Sequence, residues 1–193
     1  MAENYVRAGM VYLVDIVRRM VNDLRGVSMQ FDDLAIQESL DQNRRYSDYF
    51  PLNPVRTIFQ GGSVDYFTFE APRGYWEGTV GLTLVDGGYG TLTPGTADNK
   101  TDLLTGRWTF GTAPTRPVMV TGWTYDVYGA SADLLDQWLS TKVGGFDFST
   151  DGLSYKRSQE YSQIAATSAQ YRLRSDFSRQ GTMHRSDSGE VWR

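Results

Sequence analysis

The side chains able to do chemistry are few and scattered. His184 is the sole histidine. A general base, a His–His metal pair or a Ser–His triad therefore has one candidate, on a polar stretch with too little apolar content to hold it in place. Without a single cysteine, disulfides, Cys-ligated zinc and thiol nucleophiles are excluded. Asp147 and Asp151 flank a turn ending at Gly152, but the alternating ligands and terminal Glu of a calcium loop are missing, so an Asx-turn capping the next helix is expected. The glycines at 87, 88 and 90 lack the strand, Lys and Ser/Thr of a phosphate loop and read as a hairpin turn. Asp32 and Asp33 stand where a helix dipole attracts carboxylates. Glu70 and Glu77 have the residue types of a glycosidase pair, yet a solvated sheet rim is the expectation. Tyr66, Tyr75, Trp76, Tyr89 and Trp108 have the composition of a sugar platform, although core and intersubunit packing is the default for such rings. The residues call for no cofactor and no metal.

The elements that must position these groups follow from composition and period. The chain has 193 residues, 40% hydrophobic and 22% charged, enough to bury a core. Its 12 Tyr, 5 Trp and 20 Gly favour strands, tight turns and amphipathic interface rings. The net charge of −4 does not supply the cationic net that wraps nucleic acid. Of 19 basic residues only Lys100, Lys142 and Lys156 are lysines, and arginine's planar fork suits interface carboxylates. With no apolar run long enough to span a bilayer and no signal-peptide pattern, a soluble protein made in the cytoplasm, with no membrane partner, is expected.

Apolar residues at 13, 16, 17, 20, 21 and 24 predict one face of a first helix ending near Gly26, with Arg18, Arg19, Asn22 and Asp23 opposite. Asp32 as N-cap and Phe31 as staple onto Ile36 predict a second, with Leu34 and Leu40 inward and a stop at 43–45. From about 55 to 122 the period changes to two, predicting four to six strands between turns. A third helix is predicted from Tyr125 to about 143, through Val127, Ala130, Leu134, Leu135 and Trp138. A fourth is predicted from about 154 to 174, with Tyr161, Ile164, Ala165, Ser168 and Ala169 on one face. The expected fold class is α+β: a small bundle of about four helices with an inserted antiparallel β barrel or sandwich and an extended C-terminal tail. The divisions are 1–54 for the first helix pair, 55–122 for the β insertion, 123–174 for the second pair and 175–193 for the tail.

The tail carries Phe177, Arg179, Arg185, Val191, Trp192 and Arg193 in a polar background. Such a composition is expected to stay unordered alone and to fold on a partner, with aromatic anchors buried and arginines on carboxylates. These six residues are the candidate contacts to a neighbouring subunit or a larger partner.

Three segments carry a resemblance. Residues 31–41 form an acidic-capped helix ending in a Leu-Asp pair, 125–135 the next core helix, and 146–159 (Phe-Asp-Phe-Ser, then Asp-Gly-Leu-Ser-Tyr-Lys-Arg-Ser-Gln) the joint into the last helix. In that order the chain resembles the head–tail adaptor (connector) proteins of long-tailed bacteriophages, over roughly half its length. The β block departs from smaller adaptors, which have little more than a hairpin there. The resemblance implies a structural protein without catalysis: a homododecameric ring below the portal, contacting a tail terminator or stopper, with double-stranded DNA passing through the lumen unbound. It would belong to the neck of the virion and be assembled in the host cytoplasm. The alternatives are a terminator or stopper of the same neck, a carbohydrate-binding or host-adhesion module built on the β block, and a small hydrolase.

Overall fold

The computed structural model describes residues 6–23, 29–58, 64–78, 81–96, 98–142, 148–150, 153–155 and 157–175. A 3-10 turn, Ala8–Met10, leads into α1 (Val11–Val21), followed by α2 (Asp33–Gln42). The strands are β1 (Arg44–Pro51), β2 (Asn53–Ile58), β3 (Val64–Glu70), β4 (Thr83–Val85), β5 (Thr91–Leu92), β6 (Lys100–Asp102), β7 (Arg107–Thr109) and β8 (Met119–Tyr125). Then come α3 (Val127–Lys142), the short strands β9 (Phe148–Thr150) and β10 (Leu153–Tyr155), and α4 (Arg157–Arg174). The molecule is mixed α+β, with four α-helices and two four-stranded antiparallel sheets, ordered β1-β8-β4-β5 and β2-β3-β7-β6. Both orders are open, so the described strands close no barrel.

The two four-stranded sheets begin at Arg44, earlier than the period change near 55, and run to Tyr125, where a helix had been expected to open. Local pattern hides this because β1 is stabilised by β8, whose residues lie some 70 to 80 positions away: Arg44 opposes Tyr125 and Tyr46 opposes Trp123. The chain then crosses from one sheet edge to the other through buried Leu52. The expected start of the fourth helix near 154 is likewise later, because 153–155 pair antiparallel with 148–150.

α1 ends at Val21, short of Gly26. Asn22 adopts the left-handed conformation (φ 55°) that its short amide side chain tolerates. Asp32 caps α2 as its side chain predicts, accepting from the Ala35 amide at 2.6 Å. Phe31 and Ile36, the expected staple pair, are buried in one cluster.

That cluster is the helical core. Leu13, Val14, Val17 and Val21 of α1, Ile36 and Leu40 of α2, and Val127, Ala130, Leu134 and Leu135 of α3 share it, with Met20 half-buried at its margin, while Ile16 is half-buried. Leu135→Ala is expected to cost about 2–5 kcal/mol in urea unfolding. Trp138→Ala should cost less, because Trp138 is only half-buried. A larger loss at Trp138 than at Leu135 would mean that the other face of α3 points inward.

A second, aromatic core joins the two sheets: Leu84 and Val120 from one, Phe69 and Trp108 from the other, with Trp76 between. Trp76 and Trp108 meet edge to face, centroids 5.6 Å apart. β8 is the shared wall. Alternate residues such as Val120 face the sheet core, whereas Trp123 and Tyr125 pack into the helical one.

Charge fastens the layers. Arg18, expected on the solvent side of α1, is only 2% exposed. Its guanidinium reaches Asp33 Oδ1 (2.7 Å), Asp23 Oδ2 (3.0 Å) and the Phe31 carbonyl (2.9 Å). Asp23, also buried, accepts the amides of Gln30 and Phe31 in return. The periodic rule fails here because a fully hydrogen-bonded arginine can be buried where the pattern expects solvent. Glu77, expected at a solvated rim, is buried too. It accepts from Arg7 Nε (3.0 Å) and the Tyr125 hydroxyl (2.5 Å), while Arg7 also grips both oxygens of Asp41. The Tyr12 hydroxyl donates to the Trp76 carbonyl. Burial raises the Tyr12 and Tyr125 phenols well above their usual range, so both stay protonated donors. At the same crossing a Cβ on Gly9 would meet the Gly78 carbonyl, so only glycine lets these backbones touch.

Candidate functional site

The residues singled out for chemistry do not converge. Gly87, Gly88 and Gly90 belong to the β4–β5 hairpin turn, where the Asp86 carboxylate accepts the Gly88 and Gly90 amides. Glu70 pairs with Arg107 at the surface (3.2 Å), away from the role of Glu77. Trp76 and Trp108 are core, Tyr66 lies under Arg116, and Tyr89 projects alone at 80% exposure, so the five aromatics form no common platform. Asp147, Asp151 and His184 lie outside the described residues, as do all six candidate contacts: Phe177, Arg179, Arg185, Val191, Trp192 and Arg193. Among the described residues no group of three or more His, Cys, Asp or Glu is placed to hold a metal, and no helix is long and apolar enough to cross a membrane.

What the fold does assemble is a groove. Two adjoining cavities, of about 230 and 380 Å³, share Arg45, Pro72, Arg73 and Thr124. The first extends past Tyr75 and Tyr128 to Asp126 and Arg174, the second along β1 past Tyr46 to Phe50. Its walls come from three places. β1 supplies Arg45, held opposite Thr124 by the β8 register. The segment 71–78 supplies Pro72, Arg73 and Tyr75. It is clamped on both sides: Tyr75 and Trp76 amides donate to the Leu104 and Leu103 carbonyls, and the Tyr125 amide donates to the Tyr75 carbonyl. The end of α4 supplies Arg174.

Backbone strain marks this region. Tyr75 has φ 59°, and Tyr49, in the β1 irregularity between Ser47 and Phe50, has φ 44°. Bulky residues rarely adopt such angles unless their surroundings impose them. Burial and the Tyr128 hydroxyl raise the Tyr75 phenol above its ordinary value, keeping it neutral.

The groove is unevenly charged. Among the described residues Arg45, Arg73 and Arg174 make no ion pair with a carboxylate. Asp126 is engaged as cap of α3, accepting the Gly129 amide (2.9 Å) and the Ser175 hydroxyl (2.5 Å). Beside the groove β1 is a sheet edge, and it exposes Tyr46 (49%), Tyr49 (56%) and Phe50 (37%). Arginine forks, aromatic faces and free edge amides are the equipment for gripping an extended, carboxylate-bearing chain.

No known protein-family model matches the chain, and no curated protein matches it. Function therefore rests on the geometry and the motif resemblance.

Sequence reasoning missed Arg45, Arg73 and the β1 aromatics as site residues. Arg45 read as a helix stop, and nothing local to Pro72-Arg73 shows that α4 ends beside it. One signal was available: Tyr46, Tyr49 and Phe50 crowd into five positions that are poor in helix formers.

Proposed function

We propose that this chain is a structural neck protein of a tailed bacteriophage, a head–tail adaptor whose copies form a ring that joins the portal to the tail and surrounds the DNA channel. The observation that carries the reading is the exposed edge of β1, where three aromatics stand beside an arginine groove. Tyr and Arg are enriched where protein partners are desolvated, and an open sheet edge left this apolar is a hazard unless something covers it. The helix pair, β block and helix pair follow the adaptor-like order of the motifs, with the two sheets as a sandwich-like insertion. A ring of about a dozen copies requires head-to-tail contacts between unlike surfaces, and the exposed β1 edge offers one of them. Portal above, terminator or stopper below, and DNA passing freely are the partners of this reading. Assembly takes place in the host cytoplasm and the finished subunit resides in the virion neck.

Native mass measurement of the protein, alone and with portal, tests it. A closed ring of about twelve copies that binds portal is expected. Only monomers and dimers on purified necks would end the adaptor reading. A ring that binds tail-tube protein and not portal would assign the terminator role. Deleting 176–193 should leave helices and sheets folded but weaken portal attachment. Trp192→Ala alone should cost up to about 2 kcal/mol, roughly 30-fold in affinity, if it is an anchor. A truncated protein that attaches to portal as well as the full chain does would make the tail passive.

A further inference from the structure

The groove lies next to the point where the described chain ends. Ser175 is 3% exposed, and its hydroxyl is tied to Asp126, itself a groove residue, while Arg174 is part of the groove wall. The described chain therefore ends in the groove wall, and the next Cα is about 3.8 Å further on. Residue 176 is aspartate and residue 177 phenylalanine.

We propose that the segment 176–193 folds back into the groove of its own chain, with the Asp176 carboxylate between Arg45 and Arg73 and the Phe177 ring against Tyr75 and Tyr128. Three observations converge on this occupant. The groove arginines have no carboxylate partner among the described residues, and the segment, balanced in charge as a whole, enters with a carboxylate, Asp176, ahead of its first arginine, Arg179. The groove offers aromatic faces, and the segment enters with a ring. The tether makes the contact intramolecular, with an effective concentration on the order of millimolar, so individually weak contacts suffice to hold it. The parked segment also shields the β1 edge, whose exposed Tyr46, Tyr49 and Phe50 would otherwise template pairing between chains. This differs from a tail unordered until it meets a partner: the tail has a resting place, and any partner that draws it out uncovers β1. The inference does not depend on the adaptor reading.

The chain has no cysteine, so a nitroxide on Ser186→Cys labels the tail of the full-length protein at one site. Backbone amides at 45–48 and 73–75 should lose more than half their NMR intensity while other surface amides keep theirs. Asp176→Arg should restore most of it, as should Arg45→Glu with Arg73→Glu. Combining Asp176→Arg with Arg73→Glu should bring the broadening back. Broadening spread evenly over the surface, or unchanged by the charge reversals, overturns the proposal. So does broadening that appears only when spin-labelled chains are mixed with separate isotope-labelled chains, which would put a neighbour's tail in the groove. Portal attachment is scored separately. Local broadening that responds to the charge reversals in a protein that does not bind portal counts against the adaptor role alone, and portal binding by a protein without that local broadening counts against tail docking alone.

Discussion

Arg18→Ala should destabilise the protein by about 3–5 kcal/mol, enough to unfold a marginal domain. The side chain is buried and joins the end of α1 to the start of α2 through Asp23, Asp33 and the Phe31 carbonyl. Removing it leaves the buried Asp23 carboxylate with only the Gln30 and Phe31 amides to compensate its charge. Arg18→Lys keeps the charge but loses the planar fork that reaches four acceptors at once, so it should recover only a minor part of the loss. Urea unfolding measures both. An Arg18→Ala variant within about 0.5 kcal/mol of the parent would show that the side chain is solvated and that the α1–α2 joint is held by apolar packing alone.

Trp108→Ala should cost a comparable amount, about 3–5 kcal/mol. Trp108 is fully buried between the sheets and stacks edge to face on Trp76, so truncation empties the centre of the second core. Its indole N–H has no hydrogen-bond partner among the described residues, so Trp108→Phe forfeits ring volume but no bond to protein and should be milder. Thermal and urea unfolding followed by near-UV circular dichroism would read the loss. If Trp108→Phe proved the worse of the two, the stacked-ring account of this core would be wrong.

The two changes strike different layers, and the layers are coupled. β8 belongs to both cores, and the Arg7–Asp41–Glu77–Tyr125 network ties α2 to the β block. The helical and β parts should therefore unfold together, which bears on any role in which force or partners act on one part and are felt by the other.

Much of this architecture was determined by sequence alone. The helices of the bundle, the Asp32 cap, the inward faces at Leu13, Val17, Leu134 and Leu135, and the strands at 64–70 and 107–109 all follow from periods and capping chemistry, which act over a few residues. Tertiary structure decided what depends on distant partners. Residues 44–51 are a strand because β8 lies beside them, and Arg18 and Glu77 are buried because carboxylates, guanidinium groups and a phenol from other elements satisfy them. The groove is the extreme case: Arg45, Arg73 and Arg174 come from three segments, and each read alone is an ordinary solvated cation. Period and propensity are written between neighbours in the chain, whereas a site is written between neighbours in space. Only the folded chain brings these three charges to one surface.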